Sequence, residues 1–270
     1  MLAFDLFRLM DPRLTPSDAK VHLAGWNGEE DPLRVYLEGR FDEWQSWQTK
    51  RNFEREFVVS MIKLGERDRW LFVGAFTSYS VTDPVPGQPY KYGLSRVTAC
   101  DDLQGRLVVS FTRMGRQSYL NGESCADRMT VHEIRSEPMH LEEFPGFKKV
   151  DLEFPDLDIV VRQNTTSWRT ALSAVAGVYL ISDPESGKLY VGSATGEGGI
   201  WGRWCQYADG HGNNVELRRV IAELGVERAK AFRFSILEIA DLHASPQEVL
   251  ERESHWKRVL LTREHGYNAN

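Results

Sequence analysis

The stretch Gly177-Val-Tyr-Leu-Ile-Ser-Asp-Pro-Glu-Ser-Gly-Lys-Leu-Tyr-Val-Gly192 decides how the chain is read. Two short runs of β-branched and aromatic residues, 177–181 and 189–192, flank a dense cluster of turn formers at 182–188. That pattern predicts a β-hairpin. Downstream, Gly196, Gly198 and Gly199 form a glycine-rich loop that leads into a helix over 200–207. Asn214 to Leu224 reads as a second helix, stopped at Gly225. Ala231 to Ile239 alternates as a strand, with Phe232, Phe234 and Ile236 facing one way. Ser245-Pro246 then opens a helix with Glu248 at the capping-box position. That helix runs through Val249, Leu250, Glu253, Trp256, Lys257 and Leu260, and ends before Gly266.

Upstream of the hairpin the texture differs. Asp31-Pro32 is an N-cap followed by proline at the first helical position. Leu33, Tyr36, Leu37, Phe41, Trp44 and Trp47 follow at helical spacing, with Gly39 as a weak point. Residues 57–62 form a short apolar run, 70–76 reads as a buried strand and 107–111 and 129–134 as further strands, and Gly74 marks a bulge or close approach. Loops rich in turn residues separate them. The expected fold class is α+β. An N-terminal domain (1–165) holds a strongly bent sheet or small barrel, and a C-terminal domain (172–270) holds a small antiparallel sheet flanked by helices. The polar stretch near 160–172 is the expected linker.

Composition bounds the function. The 270 residues are 41% hydrophobic and 27% charged, as in an ordinary globular protein rather than a disordered chain. No apolar run is long enough to cross a membrane, so no membrane partner is expected. The first residues, MLAFDLFRLMDPRL, lack the basic start of a signal peptide. Three scattered cysteines (Cys100, Cys125, Cys205) fit neither a disulfide scaffold nor a zinc site, which points to the cytoplasm. The net charge of −6 is shared by both halves of the chain. Any nucleic-acid binding must therefore come from local patches and depend strongly on salt.

The tripeptides Gly177-Val178-Tyr179 and Tyr190-Val191-Gly192 resemble the signature of the GIY-YIG nuclease family, with valines in place of both isoleucines. Arg203 stands where the family carries an arginine on the next helix. Tyr207, one turn on, stands where the family has a histidine or tyrosine. Glu253, three residues before Trp256, resembles the family's glutamate, and Gly266-Tyr267-Asn268 its terminal asparagine. The resemblance spans residues ~172–270. It implies a DNA endonuclease with a catalytic set of Tyr179, Tyr190, Arg203, Tyr207, Glu253 and Asn268, in which Tyr179 is the general base.

Elementary chemistry supports the same set. Phosphodiester hydrolysis needs an activated water and a way to absorb developing negative charge. Glu253 offers an anionic oxygen to a hard cation, Mg²⁺ or Mn²⁺, and Glu251 is a near neighbour that would take this role after a shift in register. Arg203 suits a phosphate oxygen. A phenol with an ordinary pKa near ~10 must be made more acidic to act as a base. Asn268 can only orient its neighbours. His211 is a fallback base, and Cys205 reads as a packing residue.

The N-terminal domain is the expected targeting module. Its basic clusters, Lys50-Arg51 and Arg113 with Arg116, are the candidate DNA contacts, and the loop 113–119 is the best placed of them. The expected setting is restriction or defence. A branched-DNA or repair nuclease, and a non-catalytic nucleic-acid-binding protein, are the alternatives. Cutting both strands would call for a homodimer or two visits.

Overall fold

The computed structural model describes residues 1–85, 87–208, 228 and 230–268. The expected helix over 214–224 and His211 lie outside them. The chain divides into two compact units, Met1–Met139 and His140–Asn270.

The first unit begins with α1 (Ala3–Met10), β1 (Ala19–Ala24), α2 (Pro32–Leu37), α3 (Phe41–Ser46), β2 (Trp47–Gln48) and β3 (Phe57–Lys63). It continues with β4 (Arg69–Thr82), β5 (Tyr90–Arg96), β6 (Leu107–Ser110), β7 (Tyr119–Asn121) and β8 (Thr130–Ile134). The strands form one sheet in the order β2-β5-β4-β3-β1-β7, with β6 pairing β4 and β8. It is antiparallel except for β1 beside β3. The sheet curls into a half-barrel. The curl brings Tyr92 of β5 and Tyr119 of β7 against one ring, Phe53, with centroids 5.3 and 5.8 Å away.

Strand alternation sets what each face buries. Val21 and Leu23 of β1 join Phe4, Phe7, Phe72 and Val109 in the larger cluster. His22 between them turns to the other face. There it stacks on Tyr119 (5.0 Å, 11° between planes) and lies among Phe41, Trp44 and Phe53. Its Nδ1 lies 3.3 Å from Gln45 Oε1, which also accepts from Ser60 Oγ at 2.6 Å. Burial drives the His22 pKa down to about 4, so the imidazole is neutral.

The helix expected from Pro32 to Trp47 is two. Asp31 caps the first through Leu33 N (3.1 Å), and Gly39, at φ +71°, ends it. Gly74 sits at a bulge as expected, where Ser60 pairs with Gly74 and Met61 with Phe72.

The second unit holds β9 (Asp151–Glu153), α4 (Phe154–Arg162), α5 (Thr166–Ser173), β10 (Val175–Ser182) and β11 (Leu189–Ala194). These are followed by α6 (Gly199–Ala208), β12 (Arg233–Asp241) and the helix Pro246–Val259, here α7. Its antiparallel sheet runs β11-β10-β12-β9. The expected linker is not one. Residues 162–169 end α4 and begin α5, and Trp168 is fully buried, its Nε1 donating to Glu142 O at 3.0 Å. Polar residues on the solvent side of two short helices hid their apolar spacing (Leu157, Val160; Trp168, Leu172). The boundary between compact units falls earlier, after Met139.

Candidate active site

The hairpin builds the site. Tyr179 on β10 pairs with Gly192 on β11, and Ile181 pairs with Tyr190. With a side-chain period of two, Tyr179, Tyr190 and Gly192 share a face. The Tyr179 ring lies across Gly192: a Cβ there would stand 2.4 Å from the phenol oxygen and 2.5 Å from Cζ. Gly177 is required for a different reason. A Cβ there would stand 2.3 Å from the Glu238 carbonyl oxygen across the sheet. Gly177 and Gly192 are therefore close-approach positions of the hairpin.

Helix α6 covers that face and contributes two partners one turn apart. Tyr207 Oη is 2.7 Å from Tyr179 Oη, and Arg203 Nε donates to the same oxygen at 3.2 Å. Arg203 Nη1 donates to Gln206 at 2.9 Å, which leaves further guanidinium N–H groups for a substrate oxygen. Trp204, fully buried between these residues, meets the Tyr179 ring edge-on. Burial raises the Tyr179 pKa well above that of a free phenol. The neighbouring phenols Tyr207 and Tyr190 add to this, and Arg203 opposes it. In the free protein Tyr179 is therefore protonated.

Glu253 sits on α7, which is anchored at three points. Ser245 and Glu248 form a reciprocal capping box at its start. Arg252 makes paired bonds to Glu238 of β12 (Nη2–Oε2 2.7 Å), and Trp256 Nε1 donates to the same carboxylate at 2.9 Å. This fixes Glu253, which is only 9% exposed. Its Oε2 accepts from Ser193 Oγ at 2.5 Å, and its Oε1 lies 2.6 Å from Lys257 Nζ. Gly192 under the phenol cluster and Ser193 on the carboxylate are consecutive residues of β11, whose side chains alternate between the two faces of the sheet.

The chain's end locks the same strand. Tyr267 N donates to Leu189 O at 2.8 Å. Asn268 accepts from Val191 N at 2.9 Å and donates to Val191 O at 2.8 Å. Gly266 allows the approach, since a Cβ would stand 2.3 Å from Leu189 O. Tyr267 Oη donates to Asp183 at 2.6 Å in the hairpin turn. Burial alone would raise the Asp183 pKa, but hydrogen bonds from Arg228, Ser186 and Tyr267 outweigh it and hold the carboxyl well below the usual range. Asn268 therefore acts on backbone, as a strand clamp.

Ser193, Lys257, Asp183 and Glu238 were not among the sequence candidates. Ser193 directly follows the second tripeptide, and Lys257 is one helical turn past Glu253, so spacing alone pointed to both. Glu251, the alternative to Glu253, is exposed and accepts from Gln247.

The donor set fits a hard divalent cation. The nearly buried Glu253 carboxylate, now held by Ser193 and Lys257, can supply an anionic oxygen to such a cation, which would bring positive charge to a phosphate. Among the described residues no group of three His, Cys, Asp or Glu forms an all-protein cage. Cys205 lies on α6 next to buried Trp204 and is partly exposed.

The candidate DNA contacts occupy two places in the first unit. Lys50 and Arg51 are exposed just after β2, and Arg51 is engaged by Asp83 (2.5 Å) and lies over the Tyr90 ring. Arg113 and Arg116 lie in the loop before β7, Arg113 over the Trp70 ring and Arg116 exposed beside Met114 (75% exposed). Among the described helices none is long and apolar enough to cross a membrane.

Residues 175–268 match the family model described as the GIY-YIG catalytic domain. Among solved structures, the catalytic domain of homing endonuclease I-TevI is 28% identical, over 35% of this chain and 98% of that one, with a TM-score of 0.28. A mutant of the catalytic domain of intron endonuclease I-TevI is 27% identical, over 36% of this chain and 94% of that one, with the same TM-score. No curated protein sequence matches the chain. The second unit, with Tyr179 and Tyr190 on the two strands of its hairpin, carries a GIY-YIG catalytic domain over residues 175–268.

Proposed function

We propose that the protein is a divalent-metal-dependent DNA endonuclease of restriction or defence type, aimed at its target by the first unit. The observation that carries this reading is the hydrogen-bonded group Tyr179–Tyr207–Arg203, together with a nearly buried Glu253 held by Ser193, the residue of β11 after the Gly192 that pairs with Tyr179. Glu253 would hold Mg²⁺ or Mn²⁺, which when bound supplies positive charge to the phosphate oxygens. Arg203 steadies a non-bridging oxygen with its unused N–H groups. As the water oxygen bonds to phosphorus and the bond from phosphorus to the leaving sugar oxygen breaks, that oxygen taking a proton from solvent, Tyr179 takes the proton of the attacking water. Because burial opposes its phenolate, it passes its own proton to Tyr207, 2.7 Å away, which releases one to solvent. Tyr190 lines the same face and positions the water. Asn268 holds β11 in register.

Arg113 and Arg116, with Lys50 and Arg51, are the proposed phosphate contacts of the first unit. They position the chain on DNA without reading sequence. Cutting both strands would use a homodimer, and the setting would be the cytoplasm. The test is cleavage of unmodified and cytosine-modified plasmid at low salt with Mg²⁺, Mn²⁺ or EDTA. Discrete metal-dependent fragments, from one plasmid type in preference to the other, support the reading. Cutting confined to flaps or four-way junctions would assign a branched-DNA nuclease instead, and no metal-dependent cutting of any DNA would sink it.

A further inference from the structure

Both oxygens of the Glu253 carboxylate are taken. Ser193 Oγ occupies Oε2, and the Lys257 ammonium stands 2.6 Å from Oε1. The pair is close to closed from water, with side-chain exposures of 18% for Lys257 and 11% for Glu253. A surface Glu–Lys pair one helical turn apart is ordinary and weak. This one differs because its glutamate is the proposed metal ligand. A monovalent cation already stands on the oxygen that a divalent cation would need.

We propose that Lys257 is an exchange residue: it holds Glu253 in the free protein, and moves to a DNA phosphate when a divalent cation takes the carboxylate. This rests on the reading of Glu253 as the metal ligand. A carboxylate this deep needs a counter-charge before metal arrives, because an unpaired buried charge is strongly destabilising. A divalent cation held by this carboxylate would set the Lys257 ammonium against another positive charge and drive it away. Its four-carbon stem is flexible and carries three donors. The anion that enters the site with substrate is the phosphodiester. Metal and DNA therefore reinforce each other: metal frees Lys257 for phosphate, and phosphate gives Lys257 a place to go. By linkage the effect is reciprocal.

The test reads binding rather than cleavage. Mn²⁺ binding to the full chain, followed by electron paramagnetic resonance, is compared for the unsubstituted protein and Lys257→Met, with Lys257→Gln as a second variant and Glu253→Gln as the site control. The expected result is Mn²⁺ binding that Glu253→Gln abolishes and that both Lys257 variants tighten fivefold or more. DNA binding against salt is then measured in a Tyr179→Phe background, in which cutting is expected to be slower on the order of 10²-fold. With Mn²⁺, Lys257→Met should lower the slope of log K against log salt by about one, the loss of one phosphate contact. In EDTA the slopes should agree. Glu253-dependent Mn²⁺ binding that the Lys257 variants leave unchanged, or equal slopes with Mn²⁺, would overturn the exchange while leaving the metal site standing. Mn²⁺ binding that survives Glu253→Gln, or no Mn²⁺ binding at all, would overturn both.

Discussion

Gly192→Ala puts a single methyl group where the Tyr179 ring lies. The added carbon would stand 2.4 Å from Oη, 2.5 Å from Cζ and 2.8 Å from Cε2. Ordinary carbon contacts are about 3.5–4.0 Å, so the ring must withdraw by roughly 1 Å. It has no free space to enter. Tyr179 is fully buried, Trp204 and Tyr207 pack on it, and Tyr207 and Arg203 hold its oxygen. Overpacking of this kind costs about 1–3 kcal/mol, which the fold can absorb. Catalysis is more sensitive, since a misplacement of about 1 Å costs on the order of 10²-fold. Gly187→Ala is the control. Gly187 sits in the hairpin turn at φ +72° with open space around it, so alanine there costs about 1–2 kcal/mol of strain without touching the phenols. Single-turnover cleavage and urea unfolding on both variants separate the two effects. The expected result is similar destabilisation, but a rate loss near 10²-fold only for Gly192→Ala. A folded Gly192→Ala that cuts within about threefold of the unsubstituted protein would refute the claim that Tyr179 works from this position.

Other outcomes follow from single residues. His22 has a folded pKa of about 4 against 6.5 unfolded, so between these values the unfolded chain binds the extra proton. Stability is therefore full above pH 6.5 and falls as pH drops toward 4. The loss is about 2 kcal/mol from pH 7.5 to 5, and urea unfolding of the protein and of His22→Gln should show the variant's curve flatter by that amount. Asn268→Asp sets a carboxylate oxygen against the Val191 carbonyl in place of a donor at 2.8 Å. It should lower stability by about 2 kcal/mol by urea unfolding and reduce cleavage with it, while an unchanged midpoint would contradict the clamp. Ser245→Ala removes half of the capping box and should cost about 1 kcal/mol by the same measurement, fraying the start of the helix that carries Glu253.

The catalytic unit was legible where close approach leaves a mark in residue type. Gly177, Gly192 and Gly266 are glycines because backbone or a ring occupies the place of a Cβ, and each lies within two residues of a side chain that the site uses. The capping box at Ser245 fixed where the helix of Glu253 begins, so its register could be read without a structure. What failed to show is equally physical. α1, α4 and α5 each bury only two or three side chains, and their polar residues masked the period. β1 carries the alternation of a strand in Ala19-Lys20-Val21-His22-Leu23, but the run is short, and nothing in it told that His22 would be buried among aromatic rings. The break at Gly39 was visible as a glycine, but the tertiary reason to split the helix was not. Ser193 and Lys257 carried a spacing signal with no chemistry of their own until Glu253 was placed between them.

The central claim is that Tyr179 and Glu253 serve one phosphodiester-cleaving site. The most direct measurement is DNA cleavage by the protein, by Tyr179→Phe and by Glu253→Gln, each shown to be folded, with Mn²⁺ or Mg²⁺ and with EDTA. The expected result is metal-dependent cutting that each substitution lowers on the order of 10²-fold or more while DNA binding persists. Cutting that proceeds undiminished in either folded variant would contradict it.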